Sequence, residues 1–365
     1  MIPISCQSAS PAIFPAQMQC DTRGLLWQTP AICRDRAVLA IEETPSGHLF
    51  VQTSTSIIAL SSANGTVLWE SPIQNAAKMA QLSNGNIVCL TDNASRLSLL
   101  DGSTGTCLQT INSVSFATNA PVISPCGHIC TLQKNKLSIT VYDEALRHVR
   151  EFTLGKQVVD SIVMLENTLV ATSSQALECI DLQRGLSSSI PLPTSPHTSS
   201  KASSRTLFIE YKDGKNYLFD VQTHQLIPLA ISIQPQTHPL AVEDGTYGIV
   251  CQSMTHQGFE DIYTIRLVKP SGELQWQVSD CVEPRFMLAN ANKQIIVAFS
   301  PSHETVRLAN PFQPPPSCYI KIYDLQGTKL YTHISPQPIL SPLACNTQGC
   351  IYFYSDGKVH ALNLN

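Results

Sequence analysis

Residues 47–72, GHLFVQTSTSIIALSSANGTVLWESP, hold three short apolar runs: LFVQ, SIIAL and TVLW. The first break between them is polar and rich in Ser and Thr; the second is Ser-Ser-Ala-Asn-Gly. Apolar β-formers separated by turn residues form neighbouring antiparallel strands. The unit recurs along the chain, which constrains the fold more than composition does. A single twisted sheet cannot bury both of its faces, so repeated sheets must cover one another.

A strand-opening Gly-x-Leu/Ile-x appears at Gly47, Gly85, Gly127 and Gly349, with a degenerate copy at Gly248. The next strand ends in an apolar pair or an apolar-Asp step: Ala59-Leu60, Leu100-Asp101, Tyr142-Asp143, Ile180-Asp181, Phe219-Asp220, Tyr323-Asp324 and Ala361-Leu362. A further strand follows a Gly, with a large residue four positions on, in the pairs Gly65/Trp69, Gly272/Trp276 and Gly327/Tyr331. The pairs Gly105/Gln109 and Gly185/Ser189 keep the spacing and lose the aromatic. Successive units lie about 40 residues apart, the period of four-stranded propeller blades.

The two ends of the chain complement each other. Trp27-Gln28-Thr29-Pro30 matches Trp69-Glu70-Ser71-Pro72, but no strands of its own blade precede it. Aligning Val359-His360-Ala361-Leu362 on Ile57-Ile58-Ala59-Leu60 stops the last unit where its fourth strand should begin. The predicted fold is therefore all-β. It is an eight-bladed propeller of four-stranded antiparallel blades, closed by the N-terminal strand around Trp27, with seven blades as the alternative. Closure of this kind removes two free sheet edges. Fourth strands are expected near Trp27, Trp69, Gln109, Val149, Ile190, Ile227, Trp276 and Tyr331. Residues 1–19 read as an irregular tail and 20–365 as a single domain. Three stretches read as irregular: a Ser/Thr/Pro-rich surface loop over residues 191–205, a widened turn over 252–262, and a Pro-rich insertion over 300–318.

Charged residues make up only 14% of the chain and the net charge is −4. With no basic stripe, this excludes a nucleic-acid footprint. No run approaches the ~20 apolar residues of a membrane span. The N-terminus lacks the pattern of a secretory signal, so the expected location is cytoplasmic and the thirteen cysteines are expected to be mostly reduced.

The segment Ala59-Leu60-Ser61-Ser62-Ala63-Asn64-Gly65-Thr66-Val67-Leu68-Trp69 resembles the pyrroloquinoline-quinone-type repeat of the quinoprotein alcohol dehydrogenase-like propellers. It follows that family's tryptophan-docking pattern, Ala-x-Asp-x-x-x-Gly-x-x-x-Trp, with Ser61 in place of the Asp. Residues 269–276 keep the Gly-x-x-x-Trp half. The resemblance implies eight blades, and it implies that each Trp packs on the neighbouring blade with its indole N–H bonded to backbone. Family dehydrogenases carry a vicinal Cys-Cys disulfide and a Glu/Asn/Asp calcium set. This sequence has no Cys-Cys pair and offers no assignable calcium set, so a non-catalytic member without cofactor is expected.

Other constellations read as structural. Cys126-Gly127-His128-Ile129-Cys130 and the pair Cys345/Cys350 could bind a metal, but Cys130 takes the place of Phe50 and Cys350 that of His48, strand positions in the core or on a blade face. Asp101, Asp143, Asp181, Asp220 and Asp324 could form an acidic ring, but turn chemistry explains them better. Lys201 and Arg205 could pair with a phosphorylated residue in their Ser/Thr-rich loop, against the simpler reading of exposed linker. His303, Glu304, Arg307 and Phe312 lie in the Pro-rich insertion and are the candidate partner-binding residues, because loops on rigid scaffolds carry sites. The expected function is a non-enzymatic binding or scaffolding propeller that acts as a monomer on a protein or peptide partner. A quinone- or metal-dependent oxidoreductase and a small-ligand or sugar-binding propeller are the alternatives.

Overall fold

A computed structural model of the protein describes residues 24–32, 37–44, 47–73, 78–112, 116–117, 120–133, 137–154, 159–201, 203–211, 213, 215–229, 240–241, 249–257, 260–269, 273–280, 282–290, 292–300 and 318–363. The described residues form strands and turns and no helix, hence no helix long and apolar enough to cross a membrane. The strands fall into eight four-stranded antiparallel sheets. Seven of these sheets are consecutive in sequence, at 38–72, 78–112, 122–153, 159–191, 196–229, 240–280 and 284–335. They are blades one to seven. The eighth takes three strands from 344–363 and its outermost strand, Leu25–Gln28, from the other end of the chain.

That outermost strand pairs Leu25 with Leu362, Trp27 with Ala361 and Gln28 with His360. The pairing continues past the strand, where Thr29 N–H donates to the Val359 carbonyl at 2.9 Å and Ile32 N–H to that of Gly357 at 3.0 Å. Val359 N–H in turn donates to Thr29 Oγ1 at 3.0 Å.

The middle strands of most blades read as apolar runs because both of their faces are covered. In the first blade, Leu49, Val51, Ile58 and Leu60 pack on Cys350, Tyr352 and Val359 of the eighth blade. Their neighbours Phe50, Ile57 and Ala59 point the other way, onto Met79, Ile87 and Cys89 of the second. Similar clusters join the second blade to the third, the third to the fourth, the fourth to the fifth, the sixth to the seventh and the seventh to the eighth. Outermost strands are mostly exposed: Val67–Pro72 and Cys107–Asn112 bury no residue fully.

Two of the expected irregular stretches prove to be strand. Pro196–Lys201 is the innermost strand of the fifth blade, paired with Thr206–Tyr211, and not surface loop. Innermost strands of other blades bury apolar residues, as Val159, Ile162 and Met164 do in the fourth, whereas this one carries hydroxyls. Here Ser199 Oγ lies 2.8 Å from Ser161 Oγ on the fourth blade and donates to Thr172 Oγ1 at 3.1 Å. Arg205, read as a possible phosphate partner, pairs with Asp220 at 2.7 Å. The widened turn at 252–262 is likewise a long hairpin. Ile249–Gln257 and Glu260–Val268 stay in register as far as Gln257 opposite Glu260. Thr255, Ile262, Tyr263 and Thr264 are strand formers that the flanking polar residues mask in sequence. The Pro-rich insertion joins Ile295–Phe299 to Cys318–Tyr323, but residues 301–317 and the tail at 1–19 lie outside the described residues.

Candidate functional site

In the first five blades and the seventh, the turn between the third and fourth strands places the side chains that matter between blades. The recurring Asp opens this turn. Its Oδ1 accepts two backbone N–H groups at 2.8–3.0 Å in every copy, at Asp101, Asp143, Asp181, Asp220 and Asp324. These are turn residues and not an acidic ring. Bonds from the Ser103 hydroxyl and the Ser103 and Thr104 N–H groups hold Asp101 below the ordinary aspartate range.

The residue after the Asp position receives the tryptophan of the preceding blade. Trp27 Nε1 donates to the Ser62 carbonyl at 2.9 Å, Trp69 to Gly102 at 3.1 Å and Trp276 to Leu325 at 3.1 Å. Each ring lies against the turn's left-handed glycine. A Cβ on Gly105, at φ 71°, would come within 2.5 Å of the Trp69 ring, and Gly65 and Gly327 face Trp27 and Trp276 in the same way. Tyr331 approaches Gly24 equivalently, so the seventh blade docks on the eighth through a phenol.

The junction between the second and third blades breaks this rule on both sides. Gln109 stands where Trp69 stands one blade earlier. The receiving turn, Asp143 to Arg147, carries Leu146 in the left-handed position, at φ 54°. Leu146 is buried among Leu97, Leu99 and Leu82 of the second blade, so an aliphatic side chain from the third blade fills the depth that an indole fills elsewhere. Beside this turn lies an open cleft of about 570 Å³ lined by Asn84, Asn86, Leu108, Gln109, His128 and Arg147 among others.

Glu144 spans this cleft. Ser83 Oγ donates to its Oε1 at 3.1 Å and Asn84 Nδ2 to its Oε2 at 3.0 Å. Gly127 leaves the space, because a Cβ there would collide with the carboxylate. Asp143 is held by its own turn. The Arg147 and Ala145 N–H groups and the Arg147 guanidinium, Nε at 2.9 Å from Oδ2, keep it below the usual carboxylate range. The chemistry on offer is amide donors and acceptors, one oriented carboxylate and an exposed leucine.

The other constellations are not brought together as a site. Cys130 is buried in the core while Cys126 is exposed at the cleft rim, where Gln183 Nε2 lies 3.3 Å from its sulfur. Among the described residues no three His, Cys, Asp or Glu side chains converge as metal ligands. Asp280, Lys321 and Tyr319 form a network between the sixth and seventh blades, with Lys321 Nζ 2.6 Å from Asp280. A smaller pocket of about 240 Å³ lies between the seventh and eighth blades beside His333 and His360. His303, Glu304, Arg307 and Phe312, the sequence-predicted partner-binding residues, lie outside the described residues. Asn84, Glu144 and Arg147 were not singled out by sequence, although the lost aromatic at Gln109 marked their junction.

No protein-family model matches this chain, and no curated protein matches it in sequence. Solved structures do match it in fold. The computationally designed Ika8 protein superposes with a TM-score of 0.64 at 12% identity, covering 93% of this chain and 100% of its own. Dihydro-heme d1 dehydrogenase NirN, solved in complex with DHE, gives 0.62 at 13% identity over 88% of this chain and 68% of its own. BamB from Moraxella catarrhalis gives 0.59 at 13% identity over 90% of this chain and 94% of its own. At such identities the likeness establishes the β-propeller fold.

Proposed function

We propose that this chain is a non-enzymatic β-propeller of the pyrroloquinoline-quinone-type repeat class that holds a protein or peptide partner in the cleft between its second and third blades. The repeat class is supported by the three tryptophan docks, each bonded to the carbonyl one residue past the Asp position. The binding role rests on the cleft itself. A peptide backbone presents donors and acceptors in alternation, and Asn84, Asn86 and Gln109 are amides that answer both. The test is selection of peptides from a random displayed library on the intact protein, followed by affinity measurement. Selected peptides should bind with roughly micromolar affinity and lose at least about tenfold to Gln109→Trp, which fills the cleft with an indole. Selection of nothing, or peptides indifferent to that variant, would sink the reading.

A cytoplasmic location belongs to the same proposal. The eight cysteines whose side chains are described are free thiols. Burial pushes Cys89, Cys130 and Cys179 up to about 12, with nearby Cys107 adding to the rise at Cys89 and Glu178 to that at Cys179. Such thiols are inert core residues. Thiol titration after denaturation without reductant should recover nearly all thirteen cysteines. In the native protein the exposed Cys107 and Cys126 should react first among the described ones. Recovery of only a few would mean a disulfide framework and an oxidising compartment.

A further inference from the structure

We infer that the cleft between the second and third blades selects an arginine or lysine side chain on the bound segment, with Glu144 as its ion-pairing partner. This rests on the reading of the cleft as a peptide site and adds the chemical class of what enters it.

Three charged side chains line the cleft, and the charges of two of them offset each other. Arg147 and Asp143 form an ion pair at 2.9 Å, and the remaining capacity of Asp143 goes to backbone N–H groups of its own turn. Glu144 differs. Both of its oxygens are fixed, but by neutral donors, the Ser83 hydroxyl and the Asn84 amide. Among the described residues no cation neutralises it. Each carboxylate oxygen has two acceptor sites, so one bond to each leaves capacity for a bidentate guanidinium or an ammonium. The orientation is set before any ligand arrives, which limits the ordering cost of binding.

The surroundings suit a long cationic side chain better than the alternatives. Leu99 lies at the floor, and Leu108 is 52% exposed on the wall, giving an apolar surface for an aliphatic stem whose charged head stays polar. An anionic group would meet Glu144 unshielded, and the charge of Arg147 is offset by Asp143. A large aromatic ring would find the depth of the junction filled by Leu146.

The experiment uses the intact protein and nonapeptide sublibraries, each with Arg, Lys, norleucine or Glu fixed at one position, read by fluorescence anisotropy. At the preferred position the Arg and Lys sublibraries should bind about tenfold tighter than norleucine, and Glu weakest. Raising salt from 50 to 500 mM should shrink that ratio in the unmodified protein, as screening of a half-exposed ion pair requires. Glu144→Gln, which keeps the shape and can still bond Ser83 and Asn84, should abolish the preference while leaving the melting temperature within a few degrees. Equal affinity for Lys and norleucine, or an Arg preference that survives Glu144→Gln, overturns the inference. If all sublibraries bind equally and all lose affinity to Gln109→Trp, the peptide site stands and the cation selectivity falls. If no sublibrary binds, both fall.

Discussion

Deletion of residues 1–30 will cost the protein most of its stability and drive it to aggregate. The deletion removes the whole outermost strand of the eighth blade, whose partner strand Lys358–Asn363 then presents an unpaired edge. It also removes two anchors. Leu25 packs with Ile296, Ile320 and Phe353, and Trp27 with Tyr352 at a ring distance of 5.9 Å and with the first blade's turn through its indole N–H. Truncating one such side chain costs about 2–5 kcal/mol. Together with the lost ladder the loss is on the order of 5 kcal/mol or more, comparable to the ~5–15 kcal/mol that stabilises an ordinary domain. The check is thermal melting and size-exclusion chromatography of the truncated chain beside the full one. A truncated protein that stays monodisperse and melts with the parent would show that the N-terminal strand does not hold the ring shut.

Trp69→Ala should lower the melting temperature clearly. The indole is half-buried, tilts against Phe50 at 5.7 Å and donates to the Gly102 carbonyl. Full burial would put the loss at about 3–5 kcal/mol, and partial exposure brings it to roughly 2–4 kcal/mol. Trp69→Phe keeps much of the packing and loses the N–H bond, so it should cost about 1 kcal/mol. The mating surface gives an independent check. Gly105→Ala would push a Cβ to 2.5 Å from the ring at a backbone angle of φ 71°, so it should destabilise by about as much as Trp69→Ala. The two effects should be strongly non-additive in the double variant, because both act on one contact. If Trp69 were instead a ligand platform, Trp69→Ala would melt normally and lose only binding.

The architecture was legible because its signals are local and repeated. The Asp-opened turn is satisfied by its own next residues, so Asp101 and Asp324 could be interpreted without any neighbour. The glycine four residues before Trp69 marks the start of an outermost strand for the same reason. Even the closing strand could be located, because Trp27 is a fourth strand without its blade and the last unit is a blade without its fourth strand.

Residues 196–201 and 252–262 read as irregular in sequence because polar residues dilute their strand formers, although each pairs with a strand close by in the chain. Ser199 looks like linker until the Ser161 and Thr172 hydroxyls of the fourth blade stand against it. The cleft was hidden for a related reason. Gln109 and Leu146 belong to different blades, and neither is unusual alone. The repeat period determined that blades stack and which residues form their turns. Only the packed ring decided that a missing indole on one blade meets a substituted glycine on the next. It also placed the Glu144 carboxylate, drawn toward Ser83 and Asn84 across that junction, where neutral donors orient it and no described cation neutralises it.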